Sequence, residues 1–151
     1  MAAVSRLEGG DKFGEAMRGV GEKLNSAQSV GVGFFSDATY PNGTSVALVA
    51  TVQEFGAPSR NIPPRPYFRN MIRDKSPEWP KAIAIQLRET NYDARLTLER
   101  VGAAIADQLQ NSIATYNAGP PLKPATIARK GFDKQLVDTS RMMDSVGFKV
   151  E

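Results

Sequence analysis

The chain has 151 residues, of which 41% are hydrophobic and 23% charged, and its net charge is +3 at pH 7. Its length is that of one domain, which can bury a core without metal or disulfide staples. It contains neither cysteine nor histidine, which excludes disulfides, thiolate zinc sites, cysteine nucleophiles and the Ser-His-Asp triad. An enzyme would have to rely on carboxylates, lysine or tyrosine, so we expect a protein without enzymatic activity, cofactor or metal.

Charge and hydropathy argue against two classes of partner, nucleic acids and membranes. Lysine and arginine outnumber aspartate and glutamate by only 19 to 16, and the two signs are interspersed, whereas a dedicated nucleic-acid binder shows a stronger basic patch. No apolar run approaches the ~20 residues that span a bilayer. Residues 1–11 lack the basic and apolar regions of a signal peptide. We therefore expect no membrane partner and no signal peptide.

The N-terminal region predicts a helix and then a strand. Apolar residues recur every three or four positions from Phe13 to Leu24, which is the spacing of an amphipathic helix. We predict this helix over residues 11–24, with Asp11 as its N-cap. Valine and phenylalanine then alternate with serine and glycine over residues 29–35, and this alternation predicts a half-buried strand.

A turn and a second helix follow. Residues 40–43 read Tyr-Pro-Asn-Gly, a turn sequence, because proline fixes one φ angle and Asn-Gly accepts positive φ. Residues 45–54 then predict a short helix that ends at Gly56. A buried strand is the alternative for the same residues, because β-branched valines are frequent among them.

Prolines interrupt the middle of the chain. Residues 56–66 contain four prolines, which exclude a regular helix or a central strand. A helix is predicted next over residues 65–73, with Phe68, Met71 and Ile72 on one side.

The C-terminal half is mainly helical. A helix starts near Pro77 and runs through Leu87, and the longest helical pattern covers residues 93–116. About one helical turn is predicted over residues 126–130, and alternation predicts a closing strand over residues 145–150.

These elements predict an α+β fold. The first and last strands form one small antiparallel β-sheet, packed by the long helix of the C-terminal half and by shorter helices. We treat residues 1–151 as a single domain, in which the proline-rich segments 56–66 and 119–124 are interface loops.

Candidate catalytic residues are few. No acidic pair stands in a metal-loop spacing, and Asp138 is interpreted as the N-cap of the turn that follows it. We expect Glu54 to be a surface residue or to pair with an arginine such as Arg60, with a catalytic role as the alternative. Gly31-Val32-Gly33 lacks the further glycine and the lysine of a phosphate-binding loop, so it indicates strand geometry.

Two basic clusters each allow two interpretations. The first cluster consists of Arg60, Arg65, Arg69 and Arg73. It predicts either contact with DNA phosphates or an acidic subunit, or pairing within the chain. The second cluster consists of Lys123, Arg129, Lys130 and Lys134, interleaved with Leu122, Ile127 and Phe132. It predicts either a protein interface or a loop that packs on its own core.

Two blocks of sequence resemble a known family. The first block comprises residues 40–47 and 52–56, which end in Glu-Phe-Gly, and then Ile-Pro-Pro-Arg-Pro-Tyr-Phe-Arg at residues 62–69. The second block is Pro-Leu-Lys-Pro-Ala-Thr-Ile-Ala-Arg-Lys-Gly at residues 121–131, with Leu-Val-Asp-Thr-Ser at residues 136–140. Together they resemble small virion proteins of tailed phages, the neck and tail-completion family. The first block is similar to the EFG…IPPRPF signature of siphophage neck proteins. The second is similar to the PLxxxTIxRKG…LxDTGxLxxS signature, which also occurs in morphogenesis proteins of contractile-tailed phages.

The resemblance covers roughly residues 30–150 and implies a structural virion protein rather than an enzyme. Such a protein would assemble as a ring of copies at the head-tail joint, with a hexamer expected, and link the head connector or stopper to the tail terminator or tube proteins. It would be made in the cytoplasm of the bacterial host and reside in the virion, where DNA passage requires no specific nucleic-acid binding. A tail terminator that caps the tail tube and a DNA-contacting basic module are the alternatives.

The proline, arginine and aromatic content of the two blocks predicts the contact residues. The predicted interface residues are Ile62, Pro63, Pro64, Arg65, Tyr67, Phe68, Arg69, Leu122, Lys123, Ile127, Arg129 and Lys130. Ser140 departs from the family pattern, which has glycine there. Since serine disfavours positive φ, we expect its side chain to cap the turn instead.

Overall fold

The computed structural model describes residues 10–131, 133–136 and 140–151. They form an α+β fold in which helices pack against a two-stranded antiparallel sheet, as predicted. The helices are α1 (Gly10–Leu24), α2 (Val46–Phe55), α3 (Tyr67–Lys75), α4 (Trp79–Glu89), α5 (Ala94–Thr115), α6 (Pro124–Lys130) and α7 (Arg141–Asp144). The strands are β1 (Val30–Phe34) and β2 (Val146–Val150), and single turns of 3-10 helix cover Pro58–Arg60 and Ser76–Glu78.

The sheet joins two distant parts of the chain. β1 and β2 pair antiparallel, with Val30 opposite Val150 and Phe34 opposite Val146. Both predicted strands are thereby confirmed, together with their pairing.

Helix α5 covers one face of this sheet at very close range. Gly102 makes the approach possible, because a Cβ atom there would lie 2.7 Å from Val30 Cγ2 and 2.9 Å from Phe148 Cδ2. Val101 and Ile105, on either side of this contact, are buried. The predicted long helix is confirmed, and Asp93 caps it by accepting a hydrogen bond from the backbone N–H of Leu96 at 2.9 Å.

Helix α1 is confirmed as a helix, but its apolar residues are not in the core. Within Gly10–Leu24, all of which is described, no residue is buried, and Phe13 is 68% exposed. Asp11 lies inside the first turn rather than at the N-cap position. The 3.6-residue period therefore identified the helix correctly without showing whether its apolar side has a partner.

The structure decides between the alternatives for the middle of the chain. Residues 46–55 form a helix and not a strand, capped by the Ser45 side chain and ended by Gly56 at φ 76°. In α3 the buried residues are Tyr67 and Met71, whereas Ile72 is 40% exposed. The predicted helix is confirmed. Of the three residues predicted on one side, Met71 is buried and Phe68 packs against the core, whereas the prediction did not name Tyr67.

Candidate interaction site

Two proline-rich segments that are distant in sequence line one open groove of about 1010 Å³. We call residues 57–66 the first wall and residues 119–131 the second wall, and the space between them the facing-segment groove. Its lining residues from the first wall are Pro58, Arg60, Asn61, Ile62, Pro63, Pro64 and Arg65, and those from the second wall are Pro120, Pro121, Leu122, Lys123, Thr126, Arg129 and Lys130. Further lining comes from Tyr40, Asn42, Thr44, Val49, Gln53, Gln135, Leu136, Ser140, Arg141 and Met142. Residues from both sequence blocks thus line the same groove.

Glu54 holds the start of the helix that follows the first wall. Its side chain is buried, with the residue 4% exposed, and its carboxylate accepts hydrogen bonds from the backbone N–H groups of Phe68 at 2.9 Å and Arg69 at 3.2 Å. These N–H groups belong to the first turn of α3, where no acceptor within the helix is available. Pro66, at the N-cap position, provides no side-chain acceptor. Glu54 therefore caps α3 from a different helix.

Glu54 also forms an ion pair, but not with the predicted arginine. The Nε of Arg69 donates to its carboxylate at 2.7 Å, whereas Arg60 lines the groove. The prediction that Glu54 pairs with an arginine is therefore confirmed, with Arg69 in place of the example Arg60, and the alternative of a surface position is wrong. The sequence signal was the glutamate two residues before a helix-ending glycine, which does not reveal a distant helix to cap.

Arg65 ties the first wall to two other parts of the chain. The residue is 6% exposed, and its guanidinium donates to Gln135 Oε1 at 3.0 Å and to Gln53 Oε1 at 3.2 Å. Its backbone N–H donates to the carbonyl of Gln53 at 2.7 Å. Burial lowers the pKa of this guanidinium from its ordinary value, because desolvation disfavours the charged form.

Tyr67 anchors the beginning of α3 in the core. It is 1% exposed, its hydroxyl donates to the carbonyl of Ala50 at 3.2 Å, and its own carbonyl accepts from the Ser112 hydroxyl at 2.8 Å. Burial raises the pKa of the phenol, and the nearby Glu54 carboxylate raises it further. Tyr67 belongs to the interior of the chain, whereas Arg65 is buried but still contributes to the lining of the groove.

The first wall is also fixed by its backbone. Gly56 has a φ of 76°, and a Cβ atom there would lie 2.8 Å from both the Ile62 carbonyl oxygen and the Pro64 nitrogen. Ala57 and Ile62 exchange backbone hydrogen bonds of 2.9 and 3.1 Å. Such a tight turn requires glycine at position 56.

The second wall is less buried than the first. Within α6, all of which is described, no residue is buried. Leu122 and Ile127 are half-buried, Lys123 and Arg129 are exposed, and Lys130 Nζ donates to the carbonyl of Lys134. Gly131 ends the helix at φ 79°, with open space around the position of a Cβ atom.

The remaining predicted interface residues divide between the groove and a second hollow. The facing-segment groove is lined by Ile62, Pro63, Pro64, Leu122, Lys123, Arg129 and Lys130. Ile127, which is half-buried, is not among its lining residues. Phe68 and Arg69 instead line an apolar hollow of about 470 Å³ beside β1, where the Arg69 guanidinium lies 4.9 Å from the centre of the Phe55 ring. The predicted contact residues therefore occupy two surfaces and the interior.

The four arginines of the first basic cluster do not lie on one common surface. Arg65 is buried, Arg69 pairs with Glu54, and Arg73 pairs with Asp74 at 2.8 Å. Of the four arginines, only Arg60 is an exposed lining residue of the groove. A helical and looped backbone points neighbouring basic residues in different directions, which a linear run of arginines does not show.

The charged lining residues of the groove that the structure describes are all cationic. Among the residues that the structure describes, its charged lining consists of Arg60, Arg65, Lys123, Arg129, Lys130 and Arg141. The sequence analysis missed Arg141, whose Nε and Nη2 donate to the carbonyl of Thr39 at 3.0 and 2.8 Å. It also missed Gln53 in α2 and Gln135, because neutral polar side chains carry no sequence signal of their own.

Ser140 contradicts the expectation for its turn. It has a φ of 59° and makes no side-chain cap hydrogen bond. The serine thus adopts the left-handed conformation that glycine favours. The predicted cap Asp138 and the apolar residue Phe132 lie outside the described residues.

The described residues show neither a metal site nor a membrane-spanning helix. Within residues 10–131, 133–136 and 140–151, no group of acidic side chains is arranged to hold a metal ion, and no described helix is long and apolar enough to cross a membrane. Comparison with family models, curated proteins and solved structures gave no match to this chain.

Proposed function

We propose that this protein is a structural virion protein of the head-tail joint of a tailed phage, where it completes the neck or tail. The observation that carries the proposal is the facing-segment groove. The two blocks that resemble the phage neck and tail-completion signatures lie about 50 residues apart in sequence, yet residues from both line the same groove. We expect residues that belong to the same family signature and lie on the same surface to contact the same partner.

In this proposal the subunit forms a ring, with a hexamer expected, between the head connector and the tail. A ring requires heterologous contacts that close. The proline-rich walls suit such contacts because a stiff segment loses little conformational freedom on binding. Lys123 and Arg129 are exposed on the second wall and are the residues assigned to contact.

The first experiment asks whether the chain belongs to a virion. Particles induced from the source genome are purified, their proteins are identified by mass spectrometry, and the gene for this chain is then deleted. We expect the protein in wild-type particles, and separate heads and tails in electron micrographs of the deletion lysate. Joined, infectious particles without the chain would overturn the proposal.

A charge-reversal experiment then tests the surface. The double variant Lys123→Glu and Arg129→Glu, supplied to the deletion strain, is expected to leave heads and tails unjoined. The matched control, Lys81→Glu with Arg88→Glu, changes two exposed cations on α4 outside the groove and is expected to restore joining. Circular dichroism of both purified variants checks that the helices are retained.

The same-sign charge of the groove also favours a second candidate, a DNA-contacting module. It predicts binding to duplex DNA that weakens steeply with salt, because each neutralised phosphate releases counterions. Fluorescence anisotropy with a labelled duplex over a range of salt concentrations tests it. A tail terminator is the remaining alternative, and labelling the protein in virions for electron microscopy distinguishes the neck from the tail tube.

A further inference from the structure

We infer that the facing-segment groove takes an extended segment of a partner protein in which acidic residues are interspersed with apolar ones. This inference rests on the proposed function in so far as both place a partner at this groove. It adds the chemistry of the partner, which the family resemblance does not supply.

The acidic character follows from the charge of both walls. Arg60 on the first wall and Lys123 on the second are exposed, and neither forms an ion pair with any residue that the structure describes. Arg141 adds a third cation to the same lining. No carboxylate occurs among the described lining residues, so a segment with carboxylates would meet complementary charge on both sides.

The apolar character follows from the side chains between the cations. The apolar lining side chains other than proline are Val49, Ile62, Leu122, Leu136 and Met142. Leu136 and Met142 are buried, whereas Ile62 and Leu122 are half-buried and keep part of their surface in the groove. Covering such surface contributes about 25 cal/mol per Å², and a purely acidic segment would leave it uncovered.

The extended conformation follows from the shape and composition of the walls. Pro63 and Pro64 of the first wall and Pro120 and Pro121 of the second all line the groove, and proline carries no N–H group and has a fixed φ. The walls are therefore preformed, which lowers the ordering cost of binding. A groove of about 1010 Å³ lies at the upper end of the ~300–1,000 Å³ typical of small-molecule sites, a size that suits several residues of an extended chain.

Nucleic acid fits the same groove less well. Proteins that hold single strands stack bases on aromatic side chains along a basic channel. Among the described lining residues of this groove, Tyr40 is the aromatic one. Phosphates would leave the half-buried aliphatic side chains between the cations without an apolar contact.

The experiment selects peptides with the isolated protein. A random peptide library is selected on the immobilised wild-type chain, with removal of peptides that bind the double variant Arg60→Glu and Lys123→Glu. We expect enriched sequences to combine aspartate or glutamate with aliphatic residues. The most enriched peptide, fluorescently labelled, is then titrated with wild type, with the double variant, and with Lys81→Glu and Arg88→Glu as the matched control.

The expected result is a loss of affinity of at least about tenfold in the double variant and less than about twofold in the control, as for removal of close charge pairs at an interface. Retained helical circular dichroism shows that the variants fold. An absence of enrichment, enrichment of neutral or basic sequences, or equal binding by the double variant overturns the inference. So does an oligothymidylate that binds wild type more tightly than the peptide at the same salt concentration.

The outcomes separate this inference from the proposed function. Acidic peptides that bind in the groove while deletion of the gene leaves virion joining intact would overturn the phage proposal alone. Failure of head-tail joining in the deletion strain without any acidic peptide binding would overturn only the inference.

Discussion

The two walls of the groove resemble each other in composition but are held in different ways. The first wall is bordered by buried residues, since Glu54, Arg65 and Tyr67 connect it to α2, α3 and the core. The second wall contains α6, in which no described residue is buried. The comparison shows that similar proline and arginine content can serve two purposes. In the first wall the conspicuous Arg65 is buried and maintains a shape, whereas in the second wall Lys123 and Arg129 lie at the surface.

The largest loss of stability is expected for a substitution at the place where the first wall meets the core. Tyr67→Ala removes a ring that is almost completely buried, and we expect a loss of about 3–5 kcal/mol in the free energy of unfolding. Urea denaturation measures it. Ile127→Ala on the second wall removes a half-buried side chain and is expected to lower stability by less than half as much. Equal losses at the two positions would contradict the difference between the walls.

The Tyr67 phenol adds a pH dependence that Tyr67→Phe isolates. Burial raises its folded-state pKa above the ordinary value of 10.0, so the unfolded chain ionises first as the pH rises. This group's contribution is complete below about pH 10 and is lost as the pH increases towards the folded-state pKa. We expect the wild type to lose stability more steeply above pH 10 than Tyr67→Phe in matched urea denaturation series.

Two glycines that each end a helix test the walls: Gly56 has φ 76° and ψ 176°, a conformation nearly exclusive to glycine, whereas Gly131 has φ 79° and ψ 2°. Gly56 and Gly131 both end a helix at positive φ, but a Cβ atom at Gly56 would lie 2.8 Å from backbone atoms, whereas the space around Gly131 is open. Gly131→Ala introduces only backbone strain, of about 1–2 kcal/mol. Gly56→Ala adds a steric overlap and is expected to cost about 3 kcal/mol in total. Thermal or urea unfolding of the two variants side by side gives the difference.

The capping role of Glu54 is separable from its ion pair. Glu54→Ala leaves two backbone N–H groups of α3 without their acceptor, and we expect a loss of about 2–3 kcal/mol. Arg69→Ala removes only a cation whose side chain is 56% exposed, for which less than about 1 kcal/mol is expected. Similar losses in urea denaturation would indicate that the ion pair, and not the cap, is what matters.

Substitutions of the two arginines of the first wall are expected to differ in their effect on stability. Arg65→Met breaks hydrogen bonds to Gln53 and Gln135 and should lower the free energy of unfolding by about 1–2 kcal/mol. Arg60→Met changes an exposed residue and is expected to stay within about 0.5 kcal/mol of wild type. The reverse ranking would show that Arg65 does not organise the groove.

The smallest expected change is a gain in stability. Ser140→Gly relieves a left-handed backbone at φ 59° and is expected to raise stability by about 0.5–1 kcal/mol, because the relief exceeds the added freedom of the unfolded chain. Asn61→Gly, at φ 56° on the first wall, is expected to gain less, since asparagine tolerates this conformation. Calorimetric melting temperatures of the two variants give the comparison.

Local patterns in the sequence were sufficient for most of the secondary structure. The three- and four-residue spacing identified α5, the alternation identified β1 and β2, and Gly56 marked the end of α2. These features depend on backbone geometry within a few residues, which nearby side chains control. The same patterns were less informative for burial, as the exposed apolar side of α1 shows.

The sequence by itself determined the α+β class, the order of the elements and the two proline-rich segments. Only the tertiary structure brought those segments together in one groove, buried Arg65, placed Glu54 at the start of α3 and exposed α1. The physical reason is that periodicity reports which side of an element is apolar, whereas burial and charge pairing depend on segments that arrive from distant parts of the chain.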